Sequence, residues 1–202
     1  MTHLRAARFG GQAHTSDFGG QAHAHTTDFG GQGHGDIRSG AHIDGRARVF
    51  GDDVNTDYII SSSRKRKTID PSALAQYLLE GVSPAFAASV QPGDLIVAGR
   101  NFGCGSAMEV AVTVIQAAGI RAVVAASFAR SFFRNAINNG LLVVECDTSS
   151  FQQGDRVSIE VSDRAVSVRN VTRDVRLAAA PLPPIIQEVI ARGGLVKATG
   201  LL

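Results

Sequence analysis

The stretch Gly99-Arg-Asn-Phe-Gly-Cys-Gly-Ser106-Ala-Met-Glu109 holds the residues best suited to chemistry. Where a glycine-rich turn leads from a strand into a helix, its backbone N–H groups can close on an anion, and the helix N-terminus adds about half a positive charge. Gly103, Cys104 and Gly105 are therefore candidate contacts for a carboxylate or phosphate. No Gly-Lys-Ser/Thr follows, so the stretch is not a P-loop. Ser106 supports two readings. With Glu109 it forms the pattern of a capping box, in which the hydroxyl closes a backbone amide for about 1 kcal/mol. Alternatively, a hydroxyl beside glycine amides at a helix N-terminus has its alkoxide form stabilised and can act as a base toward a carbon acid. Cys104 could hold an acidified thiol for the same reason, but the chain offers it no partner base, and a small residue packed beneath the loop is the simpler reading.

Two further segments carry polar groups in a pattern. Gly51-Asp-Asp-Val-Asn-Thr-Asp57 lies between β-branched runs, which predicts a loop that brings Asn55, Thr56 and Asp57 to one edge of a sheet. Shortly after come four consecutive cations, Arg64, Lys65, Arg66 and Lys67. The run has no apolar partner and reads as a solvated loop. All six histidines lie within the first 42 residues, so from Ile43 onward the chain works without imidazole. That excludes Ser-His-Asp, Cys-His and His-ligated zinc mechanisms in the body of the chain. Two cysteines, Cys104 and Cys146, are too few for a disulfide framework, a zinc site or an iron–sulfur cluster, so no metal or other cofactor is assigned to this chain. A net charge of +2 lacks the basic excess expected of a nucleic-acid binder. No apolar run approaches the roughly 18 residues of a membrane span, and no secretory signal opens the chain, so the expectation is a soluble, cytoplasmic protein.

The elements that must position these residues follow from the pattern. Ala47–Phe50, Asp94–Ala98, Ala122–Ala126 and Leu141–Glu145 read as strands. Asp70 caps a helix with Pro71 at its first position, running through Leu79 and stopping at Gly81. Helices over 107–118 and about 130–139 separate the later strands, so the core is a parallel βαβαβ unit with sites expected at the strands' carboxyl ends. Arg156–Val161 and Ala165–Val168 alternate as a hairpin does, giving a β-rich flank, and a last helix covers about 185–192. Residues 1–45 carry the repeats Phe9-Gly-Gly-Gln-Ala-His14, Phe18-Gly-Gly-Gln-Ala-His23 and Phe29-Gly-Gly-Gln-Gly-His34, which bury too little apolar surface to fold. The expectation is a disordered tail over 1–45, whose imidazoles could at most capture metal weakly, and an α/β domain over 46–202.

Four motifs together, Gly51–Ile60, Gly99–Ser106, Ser127–Gly140 and Gly193-Gly-Leu-Val196, resemble the small subunits of 3-isopropylmalate dehydratases, counterparts of the aconitase swivelling domain. The resemblance implies a swivelling β/β/α fold. It also implies a hydro-lyase active only with a large subunit, which holds a [4Fe–4S] cluster and meets the small subunit over the substrate. Ser106 matches the family's serine base, and Asn55, Thr56 and Asp57 match a motif on the same face. Arg130 and Asn135 match positions shared with aconitases, where a structural role serves equally. The implied substrate is a 2-hydroxy dicarboxylic acid, 3-isopropylmalate first, with citramalate, dimethylmalate and homocitrate-type acids as alternatives, and a non-catalytic carboxylate-binding relative as the contrary reading. The chain departs from the family where Ala107-Met108-Glu109-Val110 replaces Ser-Arg-Glu-His, which removes an arginine that contacts substrate. One or two of Arg64, Lys65, Arg66 and Lys67 are candidates to replace that contact.

Overall fold

The structure is a computed structural model that describes residues 41–162 and 165–200. In chain order the elements are β1 (Ala41–Val49), α1 (Thr56–Ile59), α2 (Ser62–Lys65), α3 (Pro71–Ala75), α4 (Phe86–Ser89), β2 (Leu95–Ala98), α5 (Glu109–Ala117) and β3 (Ala122–Ala125). They continue with α6 (Arg130–Asn138), β4 (Leu142–Glu145), β5 (Arg156–Val161), β6 (Val166–Asn170), β7 (Val175–Ala178), α7 (Pro184–Ala191) and α8 (Leu195–Thr199).

β2 and β3 are uninterrupted apolar runs buried at every position, as strands covered on both faces must be. They pair in parallel with each other, and β3 pairs in parallel with β4. α5 and α6 make the crossovers and bury Ala111, Val112, Val114 and Ile115 in one case and Phe132, Ala136 and Ile137 in the other. β6 alternates between buried and exposed residues, β5 departs from alternation only at the buried Ser158, and the two pair antiparallel, with β7 at the edge. The whole is one seven-stranded sheet in the order β4-β3-β2-β1-β5-β6-β7, the mixed α/β architecture with a parallel core and β-rich flank that the sequence implies.

β1 joins the two regimes. Ala47–Val49 pairs in parallel with β2, whereas Ala41–Arg46 pairs antiparallel with β5. The strand therefore begins five residues before the expected domain start at 46. Ile43, opposite Ile159, is buried in the core, and a single apolar residue amid polar ones gave no strand signal until its partner was in place. His42 accordingly belongs to the sheet, so the folded part does contain one imidazole, whose Nε2 lies 2.9 Å from Asp44 Oδ2. Seven residues of strand, about 23 Å, separate it from Val49, where the chain leaves the sheet for its loops. The three repeats lie outside the described residues.

The helix expected through Leu79 stops at Ala75, although Asp70 caps it through Ser72 N–H and Pro71 occupies its first turn as anticipated. Leu79 N–H donates instead to Ile59 O at 2.9 Å, which pulls the chain out of the helix and packs Leu74, Leu78 and Leu79 into the core.

Candidate functional site

β1 and β2 pair with an offset of 48 residues, and the loops that leave their carboxyl ends keep that offset. Asp52 takes the Arg100 backbone N–H on one oxygen (2.7 Å) and its Nε and Nη2 on the other (3.0 and 2.8 Å). These bonds hold the Asp52 carboxyl below the usual carboxylate range. Asp53 accepts from Asn101 Nδ2 at 2.7 Å, and both residues sit at positive φ, +56° and +59°, a conformation that Asp and Asn tolerate better than other side chains. The zipper continues with Gly103 N–H to Val54 O and Thr56 N–H to Cys104 O, each 2.8 Å, and ends with Thr56 Oγ1 donating to Ser106 O at 2.9 Å. Thr56 is buried, so its hydroxyl is committed to that bond.

Two glycines make the turn possible. At Gly103 (φ +78°) a Cβ would lie 2.2 Å from the Phe132 ring, and at Gly105 (φ +90°) it would lie 2.6 Å from the Asn55 side-chain amide. Asn55 meanwhile accepts from Asp57 N–H at 2.8 Å and caps α1. A third segment locks the floor of the loop: Ser127 Oγ accepts from Asn101 N–H, and Phe102 stacks edge-on against Phe132 at 5.1 Å. Arg130 opens α6 and is exposed, and Asn135 accepts from Asn139 through its backbone carbonyl.

Ser106 emerges from this frame exposed, its carbonyl pinned and its hydroxyl without a hydrogen-bond partner among the described residues. The capping box does not form. α5 starts at Glu109, its N-cap is Met108, and no side chain closes that cap, because the Thr56 bond and the Gly105 turn carry the chain away before it winds. The N–H groups of Gly105, Ser106 and Ala107 likewise donate to no described group. Cys104 is half-buried, and burial followed by the nearby Asp53 charge pushes its thiol up, the opposite direction to an acidified thiol. Burial pushes Cys146 up to about 11. Among the described residues no three His, Cys, Asp or Glu side chains are grouped so as to hold a metal ion.

The basic run folds as α2 and the turn after it, and its members diverge. Arg64 makes a bidentate pair with Glu80 (2.8 and 2.9 Å) and lays its guanidinium 3.7 Å from the Tyr77 ring centroid. Lys65 is half-buried with its Nζ against Met108 Sδ, whereas Arg66 and Lys67 are exposed. Asp57 accepts from Ser62 Oγ at 2.8 Å and ties the start of α2 to α1. The structure thus brings Asn55, Thr56, Gly103, Cys104, Gly105, Ser106 and Lys65 to one place, with Asp57 beside them, and turns Arg64 away. Sequence reasoning passed over Asp52, Asp53, Arg100 and Asn101. Their signal was two polar pairs at equal distances beyond two strands, which becomes visible only once the strands are known to pair.

The aconitase C-terminal domain family matches residues 72–149. The chain is 47% identical over 156 residues to the 3-isopropylmalate dehydratase small subunit of Moorella thermoacetica, covering 76% of this chain and 92% of that protein. It is 44% identical to the methanogen homoaconitase small subunit of Methanocaldococcus jannaschii, covering 77% and 89%. The fold superposes on the crystal structure of a 3-isopropylmalate dehydratase chain from Methanocaldococcus jannaschii with a TM-score of 0.75, at 41% identity, over 80% of this chain and 95% of that one.

Proposed function

The chain belongs to the aconitase C-terminal domain family as a small subunit of a 3-isopropylmalate dehydratase or homoaconitase-type hydro-lyase, and from that premise we propose that its share of the reaction is a general base, Ser106. A small subunit implies a large one. Dehydration of a 2-hydroxy dicarboxylic acid removes a proton from the carbon beside a carboxylate. The C–H electron pair becomes the alkene as the C–O bond breaks, and the hydroxide leaves as water once protonated. The Ser106 alkoxide takes the carbon-bound proton on Oγ, and the N–H groups of Gly105, Ser106 and Ala107 stabilise the charge there and on the substrate carboxylate.

The observation that carries this reading is the Ser106 hydroxyl, solvent-facing and unengaged, in a loop that is hydrogen-bonded at each residue from Gly99 to Cys104 and again at the Ser106 carbonyl. A hydroxyl spent on capping would support the non-catalytic alternative instead. This chain's own thiols do not fit a metal cluster, since Cys104 and Cys146 have no third ligand grouped with them among the described residues. The [4Fe–4S] cluster of the reaction belongs in this reading to the large subunit, which supplies the Lewis acid for the hydroxyl. The complex works in the cytoplasm, where both thiols stay reduced. 3-Isopropylmalate is the first substrate, and a homocitrate-type acid is the second because a homoaconitase subunit is similarly close.

Reconstitution of Ser106→Ala with the large subunit tests the assignment. The expected result is a fall in kcat of about 10²–10⁴-fold with unchanged thermal stability. Dehydration within about tenfold of wild type would contradict it.

A further inference from the structure

We infer that Lys65 is the side chain by which this subunit binds a substrate carboxylate, in the space beside Met108; the inference rests on the dicarboxylate reading of the Ser106 site. The four cations of the basic run are chemically alike but structurally distinct. Arg64 is satisfied, with a fork-on-fork bond to Glu80 and a ring beneath its guanidinium. Hydrogen bonds from Arg64 hold the Glu80 carboxyl below its usual range, and the charge of Lys67 adds to that, so Lys67 also lies in the field of Glu80. Arg66 is exposed.

Of the four, Lys65 is the one with a described contact to the residues just after Ser106. Lys65 is half-buried as a residue, and its ammonium rests against the thioether of Met108, two residues beyond Ser106. An ammonium has three N–H groups to place, and a thioether is one weak acceptor. No carboxylate among the described residues pairs with it. An ammonium that faces only a thioether has donors left for a ligand carboxylate. Its position is fixed from both ends of α2, by Ser62 Oγ on Asp57 and by Arg64 on Glu80. The substrate carboxylate then sits between the Lys65 ammonium and the free N–H groups of Gly105–Ala107, while Ser106 Oγ faces the adjacent carbon.

The test uses the reconstituted two-subunit enzyme with 3-isopropylmalate, citramalate and homocitrate as parallel probes. Lys65→Met is expected to raise KM about tenfold or more on the probe turned over and to keep kcat within about threefold. Adding Met108→Arg to Lys65→Met returns a cation to the same space and is expected to restore KM. An unchanged KM in Lys65→Met, an equal rise in Arg66→Met, or a folded double variant with no recovery would each overturn the inference. If the double variant does not fold, the two single variants decide. Ser106→Ala acts on kcat, so a failure of the base assignment and a failure at Lys65 appear in different constants.

Discussion

The two halves of β1 do different work with the same backbone. Ala41–Arg46 enters an antiparallel flank in which polar groups find partners within the flank itself. Asp155, for example, is buried and takes hydrogen bonds from Asn170 Nδ2, Gln152 N–H and Arg173 Nε at 2.8–2.9 Å. Ala47–Val49 enters the parallel core, and its register runs on into loops where every residue from Asp52 to Thr56 is tied. That tying stops at Ser106 Oγ and the Lys65 ammonium. Both regions are well bonded, and they differ in where the open groups lie. The buried carboxylate of the flank, Asp155, is fully partnered, whereas the loops of the site present an unengaged hydroxyl at Ser106 beside free backbone N–H groups.

The largest effect that separates the two is expected in the flank. Ile43→Ala removes a buried side chain opposite Ile159 and should cost about 2–5 kcal/mol in chemical denaturation, while kcat of the reconstituted enzyme stays within about twofold. A matching loss of kcat at saturating partner concentration would show that the two halves are not independent. A smaller effect concerns pH. Burial alone would raise the Asp155 carboxyl, but its bonds from Asn170, Gln152 and Arg173 outweigh burial and hold it below the usual range. A carboxyl lowered on folding contributes stability that is present above its unfolded value, near 4, and is lost as pH falls through the folded value. The melting temperature of wild type should therefore drop more steeply below about pH 4 than that of Asp155→Asn, with little difference in slope near neutrality.

Much of the parallel core is legible in the amino-acid sequence because buried strands are continuous apolar runs. Leu95–Ala98, Ala122–Ala125 and Leu142–Glu145 fall within a residue or so of expectation. The first six residues of β1 were not, since their burial depends on β5, more than a hundred residues away. β7, with its intermediate and exposed positions, and the one-turn helices α1, α2 and α4 lack a periodicity long enough to read. At the site, the glycine loop and its serine were visible from residue types alone. What keeps the capping box from forming is not local. Thr56, fifty residues earlier in the chain, holds the Ser106 carbonyl and diverts the turn. The same holds for the basic run, where Glu80 and Met108 sort four equivalent-looking cations.

The central claim is that the loop register exists to present Ser106, and a double-mutant cycle on kcat tests it most directly. Thr56→Val keeps the volume and removes the bond to Ser106 O. It should lower kcat about tenfold in the wild-type background and have almost no further effect in the Ser106→Ala background, because Thr56 acts through Ser106. Equal losses in both backgrounds would contradict the account, for Thr56 would then serve the reaction or the fold by a route that does not pass through the serine.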